Sequence, residues 1–258
     1  MRRHTNILIL LLLTGLCISA GAQNNPYKID DSLYPIFQRA IKWRTQPQGL
    51  LIADTLYAEA TQKKDKKAQC LALTIPVSFY LSTNNYEKLE QAATRAKEEA
   101  RKNNYLQYYY SACTNEINCL LNNGHSLRAL QKAEEMKIQA FKDQHEYGIF
   151  SCIFTLGNIY YMRQNREVAT EYYKNALEYM LKNLPDQDPT YMYINLSEYY
   201  RAKGEGEVAL EYAEKAAKAA KTNESRVAFA YRLHKGKTVV EIWGVQIIKE
   251  QPANAALF

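Results

Sequence analysis

What this chain lacks is the equipment of an enzyme. Its histidines are four, His4, His125, His145 and His234, and they are scattered. No His-Glu-x-x-His, Cys-x-x-Cys, Gly-x-Ser-x-Gly or phosphate-cradling glycine loop occurs. Catalysis needs convergent groups, so the chain is expected to be neither an enzyme nor a holder of a metal or cofactor. It also lacks a second long apolar run. Ile7–Leu13 is the one uninterrupted stretch, and nothing after it is long enough to span a bilayer.

That stretch has the layout of an export signal. Arg2, Arg3 and His4 form a basic start, and Ala20-Gly21-Ala22 is a small-x-small cleavage site before Gln23. Residues 1–22 are therefore expected to be removed. Thr14 and the following glycines break the run too early for a permanent anchor, and Leu16 before Cys17 does not match a lipobox. The expected location is the periplasm, ahead of secretion or a retained signal anchor.

Charge of one sign is also missing. Losing Arg2 and Arg3 lowers the formal charge from +6 to +4, and the remainder is dispersed. The densest basic run, Lys63-Lys64-Asp65-Lys66-Lys67, reads as a solvated connector rather than a nucleic-acid patch. Four cysteines remain, Cys70, Cys113, Cys119 and Cys152, without the dense spacing of a disulfide scaffold. Cys113 and Cys119, six apart, point to different sides of one helix, and core thiols are expected rather than a bridge or metal site.

What is present is a period. Ala129, Ala169 and Ala209 recur at forty-residue steps, and Ala169-Thr-Glu-Tyr-Tyr-Lys-Asn-Ala176 parallels Ala209-Leu-Glu-Tyr-Ala-Glu-Lys-Ala216. At that period five units start near 30, 70, 110, 150 and 190. The fourth carries Leu156-Gly157-Asn-Ile-Tyr160, then Ala169, Tyr173 and Ala176. The fifth carries Leu196-Ser197-Glu-Tyr-Tyr200, then Ala209 and Ala216. The third has Glu116 and Ile117 in place of Leu-Gly, the second has Leu89 in place of the alanine, and the first is the least regular. Asn84-Asn85, Asn123-Gly124, Gln164-Asn165 and Gly204 are the expected turns inside pairs, while Asp31-Ser32 and Asp188-Pro189 are expected to open helices. Pro76 falls inside the first helix of unit two and is expected to kink it or shift its start.

Across roughly residues 30–222 these residues resemble the tetratricopeptide (TPR) signature, and the forty-residue unit is similar to the MalT-like TPR arrays of bacterial regulators. The resemblance implies an all-α, right-handed α-solenoid of about five antiparallel helix pairs. Gly157, Ser197, Ala169 and Ala209 would let paired helices approach, with Tyr160, Tyr173 and Tyr200 filling the wedge toward the neighbouring unit. It also implies a concave groove lined by first helices. The groove would present Thr74, Ser78, Thr114, Asn118, Asn122, Phe154, Asn158, Tyr161, Tyr191, Glu198 and Arg201. Asn118 and Asn158 hold the same position in consecutive repeats. A carboxamide ladder offers donor and acceptor to an extended peptide backbone, with Phe154, Tyr161 and Tyr191 as apolar anchors. Thr74, Thr114 and Phe154 stand where carboxylate-clamp TPRs carry basic residues, so an acidic chain end is not the expected ligand.

The pattern stops near 222. Residues 223–258 begin as a sixth first helix, Arg226-Val-Ala-Phe-Ala-Tyr-Arg-Leu233, and then place Gly236-Lys237 where Leu-Gly belongs. The expected function is protein or peptide binding through the groove. The alternative is the N-terminal sensor portion of a TPR-containing histidine kinase or transcriptional regulator, without its membrane helix and output domain. Neither nucleic acid nor a membrane span after signal cleavage is expected.

Overall fold

The helices follow from two kinds of sequence. The second helix of each pair carries one narrow stripe of small or apolar residues at steps of four, three and four. Gly49, Ala53, Leu56 and Ala60 form the first stripe, and Ala129, Ala133, Met136 and Ala140 a later one; all are buried. That spacing is one face of an α-helix, leaving the opposite face to charged side chains. Some first helices are apolar nearly all round. On one of them Ile149, Phe150, Cys152, Leu156 and Ile159 are all buried, the pattern of a helix covered on several sides.

The computed structural model describes residues 25–220, and among them lie ten helices and no strand. They form five antiparallel pairs: α1 (Tyr34–Lys42) with α2 (Pro47–Gln62), α3 (Lys66–Ser82) with α4 (Tyr86–Lys102), α5 (Leu106–Asn122) with α6 (Ser126–Lys142), α7 (Glu146–Met162) with α8 (Arg166–Asn183), and α9 (Thr190–Lys203) with α10 (Gly206–Ala219). Each helix packs on the next in sequence, giving an all-α solenoid. First helices also pack side by side, α1 on α3, α3 on α5 and α5 on α7, whereas the second helices α4 and α6 meet through long side chains, as where Arg128 donates to the Tyr86 hydroxyl at 3.2 Å. The first-helix row is therefore the more closely packed edge of the stack. The export signal expected at 1–22 and the irregular segment 223–258 lie outside the described residues.

The turns have a finer beat than the pairs. Lys64, Asn84, Asn104, Gly124, Gln144, Gln164 and Gly204 all take positive φ, between 50° and 86°. All but the last are twenty residues apart, and Gly204 returns forty after Gln164. At each, the next residue's N–H reaches back to a carbonyl five residues earlier, as Asp65 to Ala60, Tyr105 to Ala100 and Glu205 to Tyr200, at 2.8–2.9 Å. This closes one helix with a left-handed cap. The same next residue is the N-cap of the following helix, and Asp65, Asn85 and Asn165 accept its orphan N–H groups at Ala68, Lys88 and Val168. One left-handed residue thus serves as stop and start together, which keeps α3 to α7 at 17 residues each.

The beat is interrupted once. Between α8 and α9 the chain runs through Leu184-Pro185-Asp186-Gln187-Asp188-Pro189, and Asp188 accepts the Thr190 N–H to open α9. Here α9 rests on α8 and makes no contact with α7 comparable to those of the earlier row.

The expected close crossings are where the repeat places them. A Cβ on Gly157 would lie 2.7 Å from the Tyr173 ring, and Ser197 donates its hydroxyl to the Ala209 carbonyl at 2.8 Å. The tyrosines meet expectation only in part. Tyr160 stacks on Tyr172 of its own pair at 10° between planes. Tyr200 stacks on Tyr212 at 4° and also reaches the neighbouring unit, with the Lys174 Nζ of α8 5.7 Å from its ring. Pro76 does not move the start of α3, which runs unbroken from Lys66 to Ser82. The four cysteines are free: Cys70, Cys119 and Cys152 are buried and Cys113 is half-buried.

Candidate binding surface

The expected groove residues all sit on first helices, so the row of α3, α5 and α7 brings eight of them onto one layer: Thr74 and Ser78 from α3, Thr114, Asn118 and Asn122 from α5, and Phe154, Asn158 and Tyr161 from α7. Tyr191, Glu198 and Arg201 belong to α9, beyond the interruption, where α8 rather than α7 supplies the support.

The layer is less uniform than a ladder. On α3 the hydroxyls are spent locally, Thr74 on the Leu71 carbonyl at 2.7 Å and Ser78 on the Thr74 carbonyl at 3.0 Å. On α7 Phe154 is half-buried, stacked at 10° on Phe150 and packed toward Tyr173. Asn158 uses its carbonyl to accept the Tyr173 hydroxyl at 2.9 Å, which leaves its NH2. Tyr161 is exposed, as are Tyr191 and Arg201; Tyr191 and Glu198 each make contacts of their own within the protein.

The centre of the row, on α5, is different. Among the described residues the half-buried Asn118 carboxamide has no hydrogen-bond partner, and one turn earlier the buried Thr114 hydroxyl has none either. Residues four apart share a helix face, so a donor–acceptor amide and a hydroxyl stand together unpaired, with Asn122 exposed one turn further on. Buried polar groups are normally satisfied. The Thr114 hydroxyl is enclosed, so it is the half-buried Asn118 carboxamide that is suited to a partner bringing its own N–H and C=O groups.

Two polar constellations escaped the sequence reading. Glu116, buried at the position of Leu156 and Leu196, meets Lys97 of α4 at 2.9 Å and Lys132 of α6 at 2.5 Å. Burial raises its pKa, but the two lysines outweigh that and hold it below the usual carboxylate range. Asp143, the C-cap of α6, receives Arg101 at 3.0 Å and the fully buried Tyr110 hydroxyl, joining α4, α5 and α6. The only signal for Glu116 was an acid at an apolar repeat position. Asp143 left no signal, because its partners are 33 and 42 residues away.

A cleft of about 440 Å³ between α8 and α9 is lined by Glu167, Glu171, Lys174, Tyr199, Tyr200 and Lys203. Its lysines are engaged already, Lys174 with Glu171 at 3.1 Å and Lys203 with Glu205 at 2.6 Å. Burial pushes the Cys70 and Cys152 thiols up to about 12, away from thiolate chemistry. Among the described residues no group of three His, Cys, Asp or Glu side chains is placed to hold a metal, and no helix is long and apolar enough to cross a membrane.

No protein-family model matches this chain, and no curated protein matches it. The architecture is compatible with a TPR-like array of helix pairs.

Proposed function

We propose that this chain is an exported, non-enzymatic TPR protein of the MalT-like type, working in the periplasm as a scaffold or adaptor that captures an extended segment of another protein along its row of first helices. The observation that carries this reading is the half-buried Asn118 carboxamide, without a hydrogen-bond partner among the described residues, at the middle of the row. An extended peptide presents one N–H and one C=O per residue, which match the acceptor and donor of a carboxamide. Tyr161, exposed near the α7 end of the row, adds an aromatic contact.

Asn118→Ala isolates the claim better than Asn158→Ala, which also removes the acceptor of the Tyr173 hydroxyl. Peptides are selected from a displayed random library on the wild-type chain, and their affinity is measured by fluorescence polarisation. Asn118→Ala is expected to weaken the selected peptides about tenfold, in line with ~1–1.5 kcal/mol for a hydrogen-bonded group, with helicity by circular dichroism unchanged. Equal affinity for Asn118→Ala, or selection of no peptide at all, overturns the assignment.

A further inference from the structure

The caps that open the helices are not all of one kind. On the twenty-residue beat, Asp65, Asn85 and Asn165 each accept the N–H three residues on with a side-chain oxygen, at 2.9, 3.1 and 3.3 Å. At 145 an imidazole makes the same bond: His145 Nδ1 accepts the Gly148 N–H at 3.1 Å and opens α7. A backbone N–H can only donate, so Nδ1 holds a lone pair and the ring is neutral, with its proton on Nε2. The cap therefore exists only while the ring is unprotonated. His125 stands on the same beat before α6, and its side chain makes no capping bond.

The ring lies where several helices join. It is half-buried and stacked on Tyr110 of α5, with centroids 5.2 Å apart and 26° between planes. The same Tyr110 ring occupies the space beside Gly148, 2.6 Å from where a Cβ would stand. Tyr110 thus touches both ends of the cap bond. Charged and titratable groups face the joint from each element around it. Arg101 of α4 and the Tyr110 hydroxyl of α5 meet Asp143 at the end of α6, and Glu146 of α7 accepts the Tyr179 hydroxyl of α8. Burial raises the Asp143 pKa, but Arg101, Tyr110 and Gln139 outweigh it and keep the carboxylate charged. Burial lifts both tyrosines further from neutrality. It holds His145 below its ordinary 6.5, with the charges of Asp143 and Glu146 opposing.

We propose that His145 is an acid-sensitive latch on the α5–α7 joint, which takes up a proton at Nδ1, gives up Gly148 and loosens the first turn of α7. An imidazolium has two donors and no acceptor, so two N–H groups then face each other. Its positive charge also meets the positive end of the α7 dipole. Asp143 and Glu146 draw it away from Gly148. An asparagine does the same capping at 85 and 165 without taking up a proton, so the imidazole adds pH response to a task that does not need it. The sign follows from the lowered pKa. The unfolded chain binds the proton more readily, so the cap's contribution is complete above pH 6.5 and lost as pH falls through the folded value. A solenoid's stability is a sum over its units and their interfaces, so acid softens this array at its middle.

NMR of the mature chain between about pH 7.5 and about pH 5 tests this. Exchange protection of the Gly148 amide, corrected for the intrinsic pH dependence of exchange, is expected to fall about tenfold, in line with the worth of an N-cap. The midpoint is expected to coincide with titration of the His145 ring. His145→Asn, which gives α7 the cap used at 85 and 165, is expected to keep the protection at both ends of the range. His125→Gln is expected to retain the fall. Glu146→Gln is expected to move it to lower pH, because a charge that favours the imidazolium has gone. Constant protection in the wild type overturns the proposal, as does a midpoint that departs from the His145 titration. So does a fall that persists in His145→Asn, or one that disappears in Glu146→Gln and so belongs to that carboxylate.

Discussion

Glu116 shows how a single residue can leave the repeat's pattern and be held by the fold. Its equivalents Leu156 and Leu196 are buried apolar residues, and the carboxylate in their place is 3% exposed. A bare charge there would be prohibitive, but Lys97 and Lys132 converge on it from the two flanking second helices. Its folded pKa lies below the unfolded value of about 4.3. The unfolded state therefore binds more protons at acid pH, and the stabilisation is complete above that value and lost as pH falls through the folded pKa. Glu116→Gln is expected to cost about 1–3 kcal/mol at neutral pH, the range for a hydrogen-bonded group lost from a buried site. The difference from wild type should vanish at strongly acid pH, as read by urea unfolding at a series of pH values. A constant difference at every pH would refute the charge-based account. The sequence signalled Glu116 as a departure. Its partners, 19 residues before and 16 after, came together only through the packing of three helices.

At the scale of the element, the turns set helix length. Their left-handed residues were partly readable: Gly124 and Gly204 advertise positive φ, and Asn84 is a tolerated substitute. Lys64, Gln144 and Gln164 do the same task with no such signal, because the Schellman bonds around them outweigh their local preference. This separates two substitutions. A Cβ at Gly124 meets nothing within 4 Å, so Gly124→Ala isolates backbone strain and is expected to cost about 1 kcal/mol. Gln164→Gly relieves that strain and, after the entropy cost of glycine, is expected to be neutral or to gain up to ~1 kcal/mol. Thermal melts of the two variants moving in the same direction would contradict this reading of the turns. The apolar stripes were the more legible part, since steps of four, three and four are set by helix geometry alone. Pro76, expected to kink α3 or shift its start, lies inside a helix that begins at Lys66 and runs unbroken to Ser82, with Ile75 and Val77 buried on either side.

The whole molecule is a chain of near neighbours. In such a stack stability is a sum of units and their interfaces, and the weakest interface sets where it opens first. The row of first helices runs from α1 to α7 and is not continued to α9 by a comparable contact; α9 joins the stack chiefly through α8. Amides of α9 and α10 are therefore expected to exchange with solvent faster than those of α5 and α7 by hydrogen–deuterium exchange. Equal protection along the array would show that the connector at 184–189 does not weaken it.

The sequence by itself determined the helix pairs, their forty-residue register and the small residues at each crossing, such as Gly157 against Tyr173 and Ser197 against Ala209. These depend on periodicity and on residues within one pair, so local pattern carries them. It also placed the candidate groove residues on the first helices. Only the tertiary structure decided that Asn158 is already spent on Tyr173 while Thr114 and Asn118 stand unpaired among the described residues. The break between α7 and α9 and the neutralisation of Glu116 were decided there too. The physical reason is common to all three. A hydrogen bond, an ion pair or a helix contact is settled by what stands opposite, and in a solenoid that is a helix a turn or a whole repeat away in the chain.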